Sequence, residues 1–187
     1  MVTTKQSSRS RSSTVQSEIR QTKPFRSTAQ EATIALLRTA SIVSRALARV
    51  VEPYGLSLAQ YNALRIIRGA GTGGIPTLSI RERMIEEGTT ITRLLDKLEG
   101  AALIRRERSV PDRRQVLCFV TDSGRKLLDS LDPFVDAADE EAVATLSGLE
   151  LDRFIDLLDA VRRSNSERGA PRTAAVRWST AAVTKIR

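Results

Sequence analysis

Apolar positions along the 187-residue chain fall on a helical period in five segments and on a strand period in one. From Thr33 to Val51, Leu36, Ala40, Val43, Leu47 and Val50 recur at intervals of four and three, with Arg38, Arg45 and Arg49 off the stripe. Leu78 to Ile85 predicts a short helix that buries only Ile80 and Met84, since Arg81, Glu82 and Arg83 take its other face. Glu86, Glu87 and Gly88 then break the period and predict a turn. In the next helix, ending at Gly100, Ile91, Leu94, Leu95 and Leu98 share one face, with Thr89 or Thr90 as its N-cap.

Ile104–Glu107 and Gln115–Thr121 read as two strands around a basic loop from Ser109 to Arg114. In the second, Val116, Cys118 and Val120 alternate with Leu117 and Phe119, as a period of two requires. Two further amphipathic helices follow, one carrying Leu127, Leu128, Leu131, Phe134 and Val135, the other Leu151, Ile155, Leu158 and Val161. Pro133 is expected to kink or restart the first of these. A helix, a turn, a second helix and a two-stranded ribbon, in that order, predict a winged helix-turn-helix.

The second helix of that unit turns Thr90, Thr92, Arg93 and Lys97 outward. Short hydroxyl side chains near a helix start, with cations beyond them, suit a major groove, where arginine bonds guanine O6 and N7 in a bidentate manner. The candidate reading residues are therefore Thr89, Thr90, Thr92, Arg93 and Lys97, and the candidate wing residues Arg106, Asp112, Arg113 and Arg114. Arg113 and Arg114 suit a minor groove, whose narrow A·T tracts concentrate negative potential. Phosphate would repel Asp112, so its expected role is to hold a neighbouring arginine.

Four motifs in this stretch resemble the core of the MarR (multiple antibiotic resistance regulator) family. They are T-x-T-R-L-x-D-x-L-E from Thr90 to Glu99, L-I-R-R from Leu103 to Arg106, D-R-R from Asp112 to Arg114, and V-T-x-x-G from Val120 to Gly124. Family-like flanks extend the resemblance from about residue 28 to 163. It implies a mainly α fold with a small β-wing, divided into dimerisation helices over 28–52 and 122–163 and a winged helix-turn-helix over 57–121. It further implies a homodimer that binds a palindromic double-stranded DNA operator, a repressor rather than an activator. Members commonly respond to a small, often aromatic or anionic effector held between the dimer helices and the winged domain; the residues leave open whether this chain has one. The turn Ile85–Gly88 departs from the pattern, because many relatives place Gly, an apolar residue, Ser and another small residue there.

Charge refines this picture. The chain carries +8, but residues 31–161 hold seventeen basic and twenty acidic residues, so the termini supply the excess. Asp129 to Asp159 contains ten acids against Arg153 alone, whereas Arg81 to Arg114 holds nine cations and seven acids, which would orient the body on a polyanion. Residues 1–27, rich in serine and arginine, read as a disordered basic arm, either a soluble tail or a nonspecific phosphate grip. Residues 164–187 read as a basic tail in which Trp178 would dock a short helix onto the body.

Other chemistries find little support. Zero histidines and one cysteine leave no zinc, haem or His-based catalytic set and no intrachain disulfide, so neither a cofactor nor an enzyme is expected. Cys118 reads as strand packing rather than a redox switch. Gly69, Gly71, Gly73 and Gly74 lack the lysine of a phosphate loop and read as a flexible link. No apolar run exceeds five residues, which predicts neither a membrane span nor a secretory core and places the expectation in the cytoplasm. The rival reading is a winged-helix protein-interaction module with only nonspecific DNA binding.

Overall fold

The computed structural model describes residues 14–85, 90–109, 112 and 114–166. Helix α2 (Thr28–Val51) starts where the Ser27 hydroxyl oxygen accepts the Gln30 amide at 3.1 Å. A short α1 (Thr14–Glu18) packs against it through buried Val15, and Arg38 donates to Glu18 at 3.3 Å. Residues 14–18 are thus a helical prop, not part of a disordered arm; residues 1–13 and 167–187, including Trp178, lie outside the described residues.

Helix α3 (Leu58–Gly69) was not read from the periodicity, although its start is written as Ser57-x-x-Gln60. The Ser57 oxygen accepts the Gln60 amide at 3.2 Å and the Gln60 side chain accepts the Ser57 amide at 2.9 Å, which satisfies two orphan donors reciprocally. Tyr61, Leu64 and Ile67 face inward. The glycines beyond it are not a flexible link. Gly71–Gly73 forms one 3-10 turn, and Gly74, at φ 68°, lies so close to Phe119 that a Cβ would fall 2.5 Å from ring carbon Cε1. That approach lets Ile75–Pro76 pair antiparallel with Cys118 and Leu117 as β1, a third strand beside the expected two. Pro76 sits on this edge strand, where proline is tolerated.

Helix α4 (Thr77–Arg83) ends two residues before the expected boundary, because Met84 takes extended dihedrals and tucks into the core. Ile85 stands exposed. Helix α5 (Ile91–Gly100) buries Leu94, Leu95 and Leu98 as its period predicts. Strands β2 (Ile104–Arg108) and β3 (Val116–Val120) pair antiparallel from Ile104 opposite Val120 to Arg108 opposite Val116, in the sheet order β1-β3-β2. Cys118 and Val120 are buried, whereas Val116, at the open end of the ribbon, is not.

Helix α6 (Asp122–Val143) runs through Pro133 without restarting. Leu64, Ile67, Ile80, Leu95, Leu98, Ile104, Leu128 and Leu131 are fully buried in a core drawn from α3 to α6, each removal from water worth about 1.5–3 kcal/mol. Helix α7 (Gly148–Ser166) belongs to a second unit that begins at Val143. Within it the Ser147 amide and hydroxyl both donate to Glu150, at 2.9 and 2.8 Å, and the Glu150 carboxyl is held below its ordinary range by the amide and then the hydroxyl.

Candidate nucleic-acid interface

Because one face of α5 is fixed against the core by Leu94, Leu95 and Leu98, its opposite face is fixed outward. Thr90, Thr92, Arg93 and Lys97 are all exposed. Thr90 occupies the N-cap position but its hydroxyl makes no cap hydrogen bond, contrary to expectation. Thr89 and the acidic pair Glu86 and Glu87 lie outside the described residues. The α3 cap stands beside this face, with Ser57 and Gln60 lining one groove with Thr90, Arg93 and Lys97. Ser57 and Gln60 were not singled out from the sequence, although their spacing as a capping box was legible.

Helix α5 closes on Ala102, held at φ 57°, with the Ala102 amide on the Glu99 carbonyl at 2.8 Å and the Leu103 amide on the Leu98 carbonyl at 3.0 Å. This pair of bonds is a Schellman ending in which glycine is the usual occupant of the left-handed position. Thr121 then ties that ending to α6. Its hydroxyl donates to the Ala102 carbonyl at 2.7 Å and accepts from the Gly124 amide at 3.0 Å, and its own amide donates to the Leu103 carbonyl at 3.0 Å. The V-T-x-x-G motif is therefore the joint that seats α5 on α6.

The wing differs from expectation in two residues. The Asp112 carboxylate accepts the backbone amide of Arg114 at 3.0 Å, so it holds the loop's main chain rather than an arginine side chain. The Gln115 amide donates to the Asp112 carbonyl at 2.9 Å and the Ser109 amide to the Gln115 carbonyl at 3.0 Å, which closes the loop. Arg114 is left exposed and shares a groove with Arg81 of α4, a cation the sequence reading placed only on a solvent face. Arg113 lies outside the described residues.

Arg106 is the second difference. Its guanidinium does not stand free at the wing but is spent on α5: Nε donates to Glu99 Oε2 at 2.8 Å, and Nη2 donates both to that oxygen and to Asp96 Oδ1 at 2.7 Å. The Arg106 backbone amide adds a bond to Glu99 Oε1 at 3.0 Å. Hydrogen bonding from Arg106 lowers the Glu99 carboxyl below its ordinary range, and hydrogen bonding to Glu99 raises the Arg106 guanidinium above its own. On β2 the neighbouring Arg105 pairs with Glu107 and lies over the Phe119 ring, 4.2 Å from its centroid.

Cys118 is fully buried; burial pushes its thiol up, and a hydrogen bond with Thr77 offsets this only in part. The crevice where α2, α3 and α4 meet, lined by Ser44, Leu58, Ala59, Asn62, Met84 and Ile85, holds about 40 Å³. Among the described residues no cluster of His, Cys, Asp or Glu has metal-holding geometry, and no helix is long and apolar enough to cross a membrane.

A helix with its apolar face locked to the core and its polar face presented, followed by an antiparallel ribbon joined to it, defines a winged helix-turn-helix protein. The MarR family profile matches residues 56–116, and the transcriptional regulator HosA of Escherichia coli O111:H- is 32% identical over 55% of this chain and 75% of its own. The chain belongs to the MarR family of transcriptional regulators. It is also similar to the crystal structure of a MarR transcription factor from Planctomyces limnophilus, at 34% identity and TM-score 0.57 over 73% of this chain and 99% of that one. The S. aureus MepR–DNA complex shares the fold at 24% identity and TM-score 0.64, over 70% of this chain and 96% of that one.

Proposed function

We infer that two copies of this chain read a palindromic duplex as a repressor, setting α5 of each into major grooves roughly 34–36 Å apart with the wings over flanking minor grooves. The observation that carries this reading is the outward row Thr90, Thr92, Arg93 and Lys97 on a helix that cannot rotate, because Leu94, Leu95 and Leu98 are buried beneath it. Arg114, exposed at the base of the wing, is the described cation suited to a minor groove, and Arg113 would join it. MepR of S. aureus, which shares this fold, forms a complex with DNA, which supports DNA as the partner.

Pairing of two chains is supported by apolar surface on each unit. Helix α2 exposes Leu36, Leu37 and Ile42, and α7 exposes Leu149, Phe154, Ile155, Leu157 and Val161. Rows of this kind on long helices are buried at low cost by a twofold partner. An effector of aromatic size entering the α2–α3–α4 crevice would have to open it, since about 40 Å³ is little more than the volume of one water. A ligand that favours the opened form would shift the α5 spacing only to the extent that it binds that form better. The protein acts by binding rather than turnover, in the cytoplasm where its DNA lies.

Selection of bound duplexes from a random pool at physiological salt tests this reading. The expected result is an inverted repeat with half-sites about one helical turn apart. Arg93→Ala relaxes preference at one base position, whereas Arg114→Ala weakens all sequences alike and lowers the salt slope by about one. A pool with no enriched motif replaces the regulator reading with that of an interaction module.

A further inference from the structure

Two carboxylates on a helix meant to approach DNA are an electrostatic liability unless something holds them. Around α5, at roughly 100° per residue, Asp96 lies beside Arg93 on the outer face and Glu99 lies further round, toward β2. Asp96 stands one turn from Arg93, the spacing at which acid and base on a helix pair. Instead both carboxylates reach Arg106, which receives them with its side chain and its backbone amide at 2.5–3.0 Å. The Arg106 side chain is three-quarters buried by these contacts. Among the described residues no carboxylate pairs with Arg93 or Lys97.

We propose, resting on the DNA-reading function above, that Arg106 is a positioning residue: it fixes the angle between α5 and the wing and withholds Asp96 and Glu99 from the cations that read DNA. Two features of the geometry single out positioning over phosphate contact. Nε and Nη2 are already engaged by Glu99 and Asp96, which leaves Nη1 alone, so a bidentate phosphate contact, side-on or end-on, would strip a carboxylate of its partner. The bond from the Arg106 backbone amide also fixes the β2 main chain to α5, so the ribbon and the helix move as one. Arg105 cannot substitute, because it lies on the opposite face of β2 over Phe119.

The test uses the full chain and the duplex that the wild type selects, with mixed-sequence DNA as the reference. Arg106→Gln and Glu99→Gln should each lower operator affinity about tenfold, the value of one charge-assisted hydrogen-bond set. Glu99→Gln, which leaves Asp96 held, should keep mixed-sequence affinity and the salt slope unchanged, whereas Arg106→Gln uncovers two carboxylates and should lower mixed-sequence affinity by less than operator affinity. In hydroxyl-radical footprints of either variant, minor-groove protection under the wing is lost while protection under α5 remains. The proposal is overturned if Arg106→Gln weakens both DNAs alike with a salt slope lower by about one while Glu99→Gln tightens binding, the signature of a phosphate ligand. If Arg106→Gln melts below the assay temperature, Arg106→Lys keeps the charge without the bidentate fork; loss of the wing footprint still supports positioning, and wild-type behaviour refutes it. A wild type that selects no motif removes the parent reading and this one together, and that failure appears before any variant is made.

Discussion

Gly124→Ala is the substitution whose effect the structure constrains most tightly. A methyl group at this position would lie inside 3.0 Å of the Leu103 carbonyl oxygen and 2.9 Å from Val120 Cγ2. The carbonyl cannot retreat freely, since it accepts the Thr121 amide at 3.0 Å, and moving Gly124 instead pulls its amide off the Thr121 hydroxyl. Overpacking of this kind costs about 1–3 kcal/mol and a lost hydrogen bond adds about 1 kcal/mol. Helix propensity works in the other direction, favouring alanine by about 1 kcal/mol. The net loss is about 1–3 kcal/mol, or a fall in Tm of about 2–12 °C for a chain of this size.

Ala102→Gly, linked to Gly124 through the Thr121 hydroxyl in the same joint, should move Tm the other way. Its φ of 57° costs an L-residue about 1–2 kcal/mol, part of which is returned to the flexibility of glycine in the unfolded chain, leaving a gain of about 0.5–1 kcal/mol. Thermal melts followed by circular dichroism at one fixed protein concentration read both variants, the concentration being held because association adds apparent stability. A Gly124→Ala melt within 2 °C of wild type, or an Ala102→Gly melt below it, would refute the packing and dihedral reasoning at this joint.

The Cys118 thiol should resist a disulfide reagent in the native chain and react at once in urea, because burial both shields it and raises its pKa; comparable rates in the two conditions would show that β3 opens locally. Arg68 holds Asp132 through bonds of 2.8 and 3.2 Å and Asp129 at 3.3 Å, so Arg68→Ala should cost about 1–2 kcal/mol, discounted for partial exposure, with Arg68→Lys recovering only part in a urea titration. Glu99 titrates below its ordinary 4.5 in the folded state, so its contribution is present above pH 4.5 and is lost as pH falls through the lower folded value; Glu99→Gln should flatten the acid limb of Tm against pH.

How much of this was legible in the sequence depended on how long a pattern had to show itself. Helix α5 was legible in full because Leu94, Leu95 and Leu98 set one face and every polar neighbour agreed with it. The β1 strand could not be read, since two residues carry no alternation and Ile75–Pro76 pairs only because Gly74 lets the chain pass close to Phe119. The Ser57 and Gln60 capping box marks the start of α3 in the chain, a legible signal outside the five periodic segments. At the wing, residue type indicated charge but not partner: Asp112 bonds a backbone amide and Arg106 bonds α5, and neither partner can be inferred from a local pattern.

The division of labour among the cations explains why net charge is a poor guide to this interface. Strand β2 is the most basic stretch of the wing, yet Arg105 is occupied by Glu107 and Phe119 and Arg106 by Glu99 and Asp96. Each of those two arginines stiffens the platform while its charge is locally cancelled, and Arg108 is the β2 cation left exposed with no carboxylate partner among the described residues. Arg93 and Lys97 line a groove with Ser57, Gln60 and Thr90, Arg114 lines another with Thr77, Arg81 and Gln115, and among the described residues no carboxylate pairs with them. A duplex approaching the wing and α5 therefore meets few available charges on a stiff frame rather than many on a loose one. On the proposed DNA-reading function, such an arrangement favours discrimination over adhesion: fewer phosphate contacts mean a shallower salt slope and weaker nonspecific binding, which would leave a larger share of the affinity to any base-edge contacts of α5.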